Sequence, residues 1–398
     1  MQPKLISPRN IKLYYATQFF HSLIFTIPIW IVYYQGKISV SEISYLVTLQ
    51  YVSQMILELP SGALADLIGR KKTNLIGWAI GSLSYLFFPL ANTFWHFLIL
   101  VFMIGLSDSF RSGAEEALLY DSCKQDNREQ DFEKSYGNGN MIYQIGLIIA
   151  TAMGGFLYER WIFLPYILYG ISLGLGSFLI AFYIEPKIDS ETFSFKNYYL
   201  QIRDGSKEVF KNKYSTYLSL FYIFVAGIAW SSTLYFNEFM MVELGFSNSL
   251  RGILVAMMRL LNVIAIKSIL QNSKLFNWKG KILFFPLIML FAYLPGLILQ
   301  GFWGLPFIQA AMVATTARWI LLAPLTNQAF SSKYRATAIS FLSLLLGFVY
   351  ITMTSISAPI ISNFGIKAMY TLLGLFTLMT VGPIMVKLLK IKKAEEIL

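Results

Sequence analysis

The feature that most constrains this chain is an apolar segment of about 20 residues that recurs from one end to the other. A stretch of that length and character is what an α-helix needs to cross the hydrocarbon core of a bilayer. Twelve such segments stand out, over residues 11–34, 41–65, 73–91, 94–120, 134–157, 161–184, 214–240, 248–271, 281–299, 303–325, 335–360 and 366–389. Helices are the consistent assignment, because membrane β-strands alternate with period two and are about half as long. Composition agrees. Only 13% of the 398 residues are charged, against about 25% in soluble domains, so lipid must cover much of the surface. The first segment is too long for a secretory h-region and lacks a small-residue cleavage site, so it reads as the first span.

The longest polar stretch, Glu185 to Lys213, divides the spans into six and six. The expected organisation is an N-terminal six-helix bundle over 1–184, a cytoplasmic central loop over 185–213 and a C-terminal six-helix bundle over 214–398. Two six-span halves suggest an internal repeat with a central site, an architecture common among transporters. The halves share no obvious residue identity, so the repeat rests on hydropathy alone.

A net charge of +11 raises the question of nucleic acid until the charges are placed. With the N-terminus inside, 24 of the 32 Lys and Arg residues fall in cytoplasmic segments, while Lys37, Arg160, Arg251 and Lys367 lie outside. That asymmetry follows the positive-inside rule. The basic balance therefore reports topology and not nucleic-acid binding: a multi-pass protein of the plasma membrane with both termini in the cytoplasm. Cys123 is the sole cysteine and His21 and His96 the only histidines, which excludes an intrachain disulfide, a thiolate zinc cluster and a histidine-built metal site. No cofactor is expected, and without a Walker A loop ATP is not the energy source.

Between spans two and three the chain reads Gly62-Ala63-Leu64-Ala65-Asp66-Leu67-Ile68-Gly69-Arg70-Lys71-Lys72. The glycines permit tight turning and close helix approach, Arg70 can neutralise Asp66 four residues earlier, and a carboxylate is favoured beside a helix N-terminus. The loop resembles the G-x-L-a-D-x-x-G-R-[KR] signature of the major facilitator superfamily, in the loop where that family carries it. The resemblance implies an all-α membrane protein of twelve transmembrane helices in two six-helix halves. It also implies a conformational latch made by Gly62, Asp66, Gly69, Arg70 and Lys71, with Asp121 a further partner for Arg70; the bland alternative is a set of topology anchors. The family's antiporter pattern in span 5 is partial. Gly137, Gly146 and Gly154 are in register, but Ala150 and Thr151 replace its Gly-Pro pair.

Ionisable groups at membrane depth are costly and face a partner or a wet cavity. Span 4 carries Asp108, Arg111, Glu115 and Glu116. The spacing puts Asp108, Arg111 and Glu115 on one helix face, where they can pair. Glu58 on span 2 lies at a depth similar to Glu115 and Glu116. The group reads as a proton-titrating cluster, as a fixed network locking spans 2 and 4, or as a substrate contact. In the second half Arg259 and Arg318 lie deep and suit either an anionic group or a pairing acid. By resemblance, Gln18, His21, Tyr143, Gln144, Trp230 and Asn237 lie on cavity-lining spans.

The leading expectation is a secondary active transporter working by alternating access, with proton-coupled export of hydrophobic or amphipathic compounds. The alternatives are import or export of one specific metabolite, anionic or otherwise, and a non-transporting membrane sensor or scaffold. The expected partners are the bilayer, a small-molecule substrate and protons, for a chain acting as a monomer. A membrane-embedded enzyme lacks any nucleophile or metal constellation.

Overall fold

The computed structural model describes residues 5–187, 195–272, 277–332 and 334–395, and every regular element among them is helical. In chain order the helices are α1 (Ser7–Ser22), α2 (Trp30–Gln35), α3 (Val40–Ile68), α4 (Arg70–Phe87), α5 (Phe94–Gln125), α6 (Gln130–Arg160) and α7 (Leu164–Ile180). They continue as α8 (Phe195–Val209), α9 (Lys213–Ser231), α10 (Asn237–Glu243), α11 (Asn248–Gln271), α12 (Trp278–Tyr293), α13 (Leu305–Leu321), α14 (Ala323–Ala329) and α15 (Arg335–Glu395). Helix falls within each of the twelve apolar segments. Among the described residues, seven helical stretches are long and apolar enough to cross a membrane, and α7 is apolar but shorter.

Local chemistry explains where the helices start and stop. At the start of α3, Ser39 Oγ accepts from the Glu42 N–H while Glu42 accepts from the Ser39 N–H, a reciprocal capping box. Asn212 and Asn277 cap α9 and α12 by accepting from Ser215 and Gly280 N–H groups, each at 2.8 Å. Gly365 at φ 77° breaks the helical conformation inside α15, which therefore holds two of the apolar segments.

Several segments depart from the continuous helix expected of them, among them spans 1 and 7. Span 1 is interrupted between Ser22 and Trp30. Pro28 lacks an N–H and disfavours helix at the residue before it, and its carbonyl accepts from Arg251 Nε at 2.5 Å. In span 7 a π-helical stretch, Ser232–Phe236, separates α9 from α10. The central polar stretch contains α8, whose Gly205 lies against the Thr337 carbonyl at the start of α15.

The chain forms two compact units, Met1–Phe193 with Ser247–Met257, and Ser194–Phe246 with Met258–Leu398. In the first, α6 and α7 pack on α1, and α5 packs on α3 and α4. In the second, α9 packs on α15, and α12 on α13 and α15. One detail recurs in both. Asp126, after span 4, accepts from the Ser7 N–H at the entry to span 1, at 2.6 Å. Glu208, at the entry to span 7, accepts from the Ser331 N–H after span 10, also at 2.6 Å. Each unit thus ties its first span to the connection after its fourth.

Candidate functional site

Three helices of the first unit enclose a cavity of about 190 Å³ lined by Tyr14, Gln18, His21, Ser112, Glu115, Glu116, Tyr136, Asn140 and Tyr143. The spacing is helical throughout. Tyr14, Gln18 and His21 repeat at i, i+4 and i+7 on α1, as Tyr136, Asn140 and Tyr143 do on α6, and α5 supplies Ser112, Glu115 and Glu116. Close packing brings α1 and α6 together. A methyl group at Gly139 would overlap the Tyr14 ring, one at Gly146 the Ser22 hydroxyl, and one at Gly154 the Phe25 carbonyl. Gly137, grouped with the last two by the sequence pattern, meets nothing within 4 Å.

The acids of α5 divide between different partners. Glu115 accepts from Gln18 Nε2 at 3.0 Å and from Thr17 Oγ1 at 3.5 Å. Arg111 is buried and reaches the other way: it donates to His21 Nε2, lies 4.6 Å from the Trp78 ring centre and stands 3.9 Å from Asp108. The expected three-way pairing is therefore split. Arg111 is in ion-pair range of Asp108 but not of Glu115, because His21 and Trp78 hold its guanidinium on the far side. Asp108 is also hydrogen-bonded to Gln50 of α3, and Glu116 interacts with Tyr136. Glu58 is exposed on α3, Gln144 is exposed on α6, and neither lines the cavity.

At the α3–α4 junction Gly69 has φ 96°, a left-handed conformation suited to glycine. Arg70 forms an ion pair with Asp121 of α5. The start of α4 is capped from a distance: Glu185 accepts from the Arg70 N–H at 2.8 Å and the Lys71 N–H at 2.9 Å. Two orphan amides of a helix N-terminus thus meet one carboxylate. Gly62 and Asp66 lie on α3, but the Asp66 side chain is outside the described structure.

A model of the Major Facilitator Superfamily matches residues 13–325. The chain belongs to that family. This transporter is 22% identical over 360 residues to the uncharacterized MFS-type transporter YxaM of Bacillus subtilis (strain 168), covering 89% of each chain. Its fold matches the nucleoside transporter NupG (D323A mutant) with a TM-score of 0.78 at 11% identity, over 96% of this chain and 99% of that one. It matches a D-xylose–proton symporter with a TM-score of 0.70 at 13% identity, over 95% and 97%. It is a multi-pass membrane transporter and not an enzyme.

The second unit of this transporter holds the remaining expected residues. Arg318 on α13 is buried, with its guanidinium 5.0 Å from the Trp230 ring centre and 4.6 Å from that of Trp319. Asn237 Oδ1 accepts from Ser232 Oγ at 2.6 Å and from the Tyr370 hydroxyl. Thr233 and Thr315 share a hydrogen bond of 2.6 Å beside them. The π-helical stretch sits in the middle of this polar group, as such stretches commonly do at functional sites. Arg259 is half-buried on α11.

The sequence reading missed Tyr14, Ser112, Tyr136, Asn140 and Glu185. Tyr14, Tyr136 and Asn140 carried a signal: polar and aromatic residues at i, i+4 and i+7 on two spans, in phase with Ser112 and the acids on a third. Glu185 carried a weaker one, as the first carboxylate after span 6.

Proposed function

We propose that the protein is a proton-coupled secondary transporter that exports amphipathic, positively charged small molecules by alternating access. The observation that carries this reading is the cavity itself, where Glu115 and Glu116 are set among Tyr14, Tyr136 and Tyr143. Carboxylates supply the charge complementary to a cation, and tyrosine faces attract cations and cover apolar surface. Arg111 is turned away from Glu115 toward His21 and Trp78, so it does not cancel that charge by contact.

Proton coupling follows from the same group. A carboxylate held by neutral donors such as Gln18 and Thr17 can take up a proton without breaking an ion pair. Glu115 is therefore the leading proton carrier, ahead of Glu116 and Glu58, with Asp108 next. The loop Gly62–Lys71, Asp121 and Glu185 form the cytoplasmic latch, in a monomer of the plasma membrane with both termini inside. Transport of an anionic metabolite by Arg259 and Arg318 has less support, because the Arg318 guanidinium is engaged by Trp230 and Trp319.

The test uses proteoliposomes carrying an imposed pH gradient and a panel of cationic, neutral and anionic compounds. Cationic amphipaths should be accumulated and should dissipate the gradient. Glu115→Gln should retain exchange between equal pools but lose gradient-driven accumulation. Should Glu58→Gln, Glu115→Gln and Glu116→Gln all keep gradient-driven transport, coupling through this group is wrong. Selective transport of anions would overturn the substrate class.

A further inference from the structure

The second unit carries an aromatic and basic cluster that the transport mechanism does not use. Tyr214 and Tyr217 lie one turn apart on the first turns of α9. Lys392 Nζ stands 5.7 Å from the Tyr214 ring centre and Lys387 Nζ 5.5 Å from that of Tyr217. The two contacts run antiparallel: as α15 descends from Lys387 to Lys392, its partners descend α9 from Tyr217 to Tyr214. A third helix closes the group, because Trp278, the first residue of α12, donates from Nε1 to the Tyr214 hydroxyl at 3.2 Å. Its ring centre lies 6.4 Å from that of Tyr214.

Most of the charges near the cluster in sequence are basic, although Glu395 and Glu396 stand three and four residues beyond Lys392. Lys213 precedes Tyr214, Lys279 and Lys281 follow Trp278, and Lys390 lies between the two stacked lysines. Lys279, Lys387 and Lys390 are exposed, and none of these three forms an ion pair with a carboxylate among the described residues. Elsewhere on this unit Lys211 pairs with Glu208 at 2.7 Å, Arg203 with Asp204 at 3.0 Å and Lys367 with Glu243 at 3.8 Å. Three helix ends thus converge on cations, two tyrosines and a tryptophan, at the side that the Lys and Arg distribution assigns to the cytoplasm. Tyr and Trp settle at headgroup level in a bilayer, and basic pockets between spans on that side hold anionic headgroups.

We propose that this cluster of α9, α12 and α15 is a binding site for the phosphodiester headgroup of an anionic phospholipid of the cytoplasmic leaflet. Lys387 and Lys392 contact the phosphate, while Trp278 and Tyr214 lie beside the glycerol and upper acyl region. The site rests on the topology reading given above but on none of the cavity residues, so it stands or fails separately from the transport mechanism.

The experiment is native mass spectrometry of the full-length, delipidated protein in detergent. The protein is titrated with palmitoyl-oleoyl phosphatidylglycerol or with phosphatidylcholine of the same chains. Wild type should retain phosphatidylglycerol preferentially. Lys387→Gln with Lys392→Gln should lose about 30-fold in affinity for it, from roughly fivefold per lysine, with phosphatidylcholine binding unchanged. Lys387→Arg with Lys392→Arg should keep the preference, which separates loss of charge from misfolding. A control, Lys124→Gln with Lys134→Gln, removes equal charge from the connection between spans 4 and 5 and should behave as wild type. Equal losses in the cluster and control variants would reduce the effect to net charge and overturn the site. Competition by millimolar inorganic phosphate would mark a free-anion site and also overturn the lipid assignment.

Discussion

Arg111 meets a different kind of partner on each side: an imidazole, an indole face and a carboxylate at 3.9 Å. A planar guanidinium can stack and donate at once, whereas an ammonium can do only one of these well. Arg111→Lys should therefore lower stability although charge is kept, by roughly 0.5–2 kcal/mol if the stacking on Trp78 is lost. His21→Ala should lower it less, and the two losses should not add, because both act on one contact. Thermal unfolding of the detergent-solubilised single and double variants checks this. Strict additivity would mean that His21 does not position Arg111.

Among the elements, the α1–α6 pair makes the sharpest forecast, since two glycines of one helix have opposite surroundings. Gly154 faces the Phe25 carbonyl, a backbone atom that no rotamer change can move aside, whereas Gly137 faces open space. Gly154→Ala should destabilise by roughly 1–3 kcal/mol through overpacking. Gly137→Ala should stabilise by about 0.5–1 kcal/mol through helix propensity. Melting temperatures that move the same way for both would contradict the packing assignment. The α4 terminus gives a further case. Glu185→Ala removes the cap of two amides and should cost roughly 0.5–2 kcal/mol, while Glu185→Gln, which keeps an acceptor, should cost less. The ranking of the two, read from thermal unfolding, is the check.

At the scale of the whole molecule, Asp66→Asn should greatly reduce transport at unchanged expression and membrane insertion; full activity would remove the latch. Glu208 is a source of acid sensitivity. Burial works to raise the Glu208 carboxyl, but donation from Lys211 and Ser331 outweighs it and holds the group below its usual range. A depressed carboxylate contributes stability above its unfolded value, about 4.3, and loses it as pH falls through the lower folded value. Glu208→Gln should flatten that part of the melting profile, and an unchanged profile would mean that the tie contributes nothing. Hydropathy made the helical architecture legible, because lipid imposes one rule on every span. It hid the interruption at Pro28 and the π-helical stretch, since both keep the apolar character while changing only backbone bonding. The α5 acids were visible one by one. Their separate partners were not, because Gln18, His21 and Trp78 are distant in sequence and meet α5 only after α1 and α4 have packed.

The two ties that join a first span to the connection after a fourth use opposite chemistry. In one half the carboxylate belongs to the connection, as Asp126, and the amide to the entry, as Ser7. In the other the carboxylate belongs to the entry, as Glu208, and the amide to the connection, as Ser331. A main-chain amide is present whatever the side chain, so only one acid need persist, and it can stand at either end. Superimposing the halves residue by residue would score both positions as mismatches although the mechanical link is the same. If the halves descend from one duplicated ancestor, drift could trade one arrangement for the other without an unlinked intermediate, by adding the second acid before losing the first. That route erases sequence likeness while leaving the joint intact.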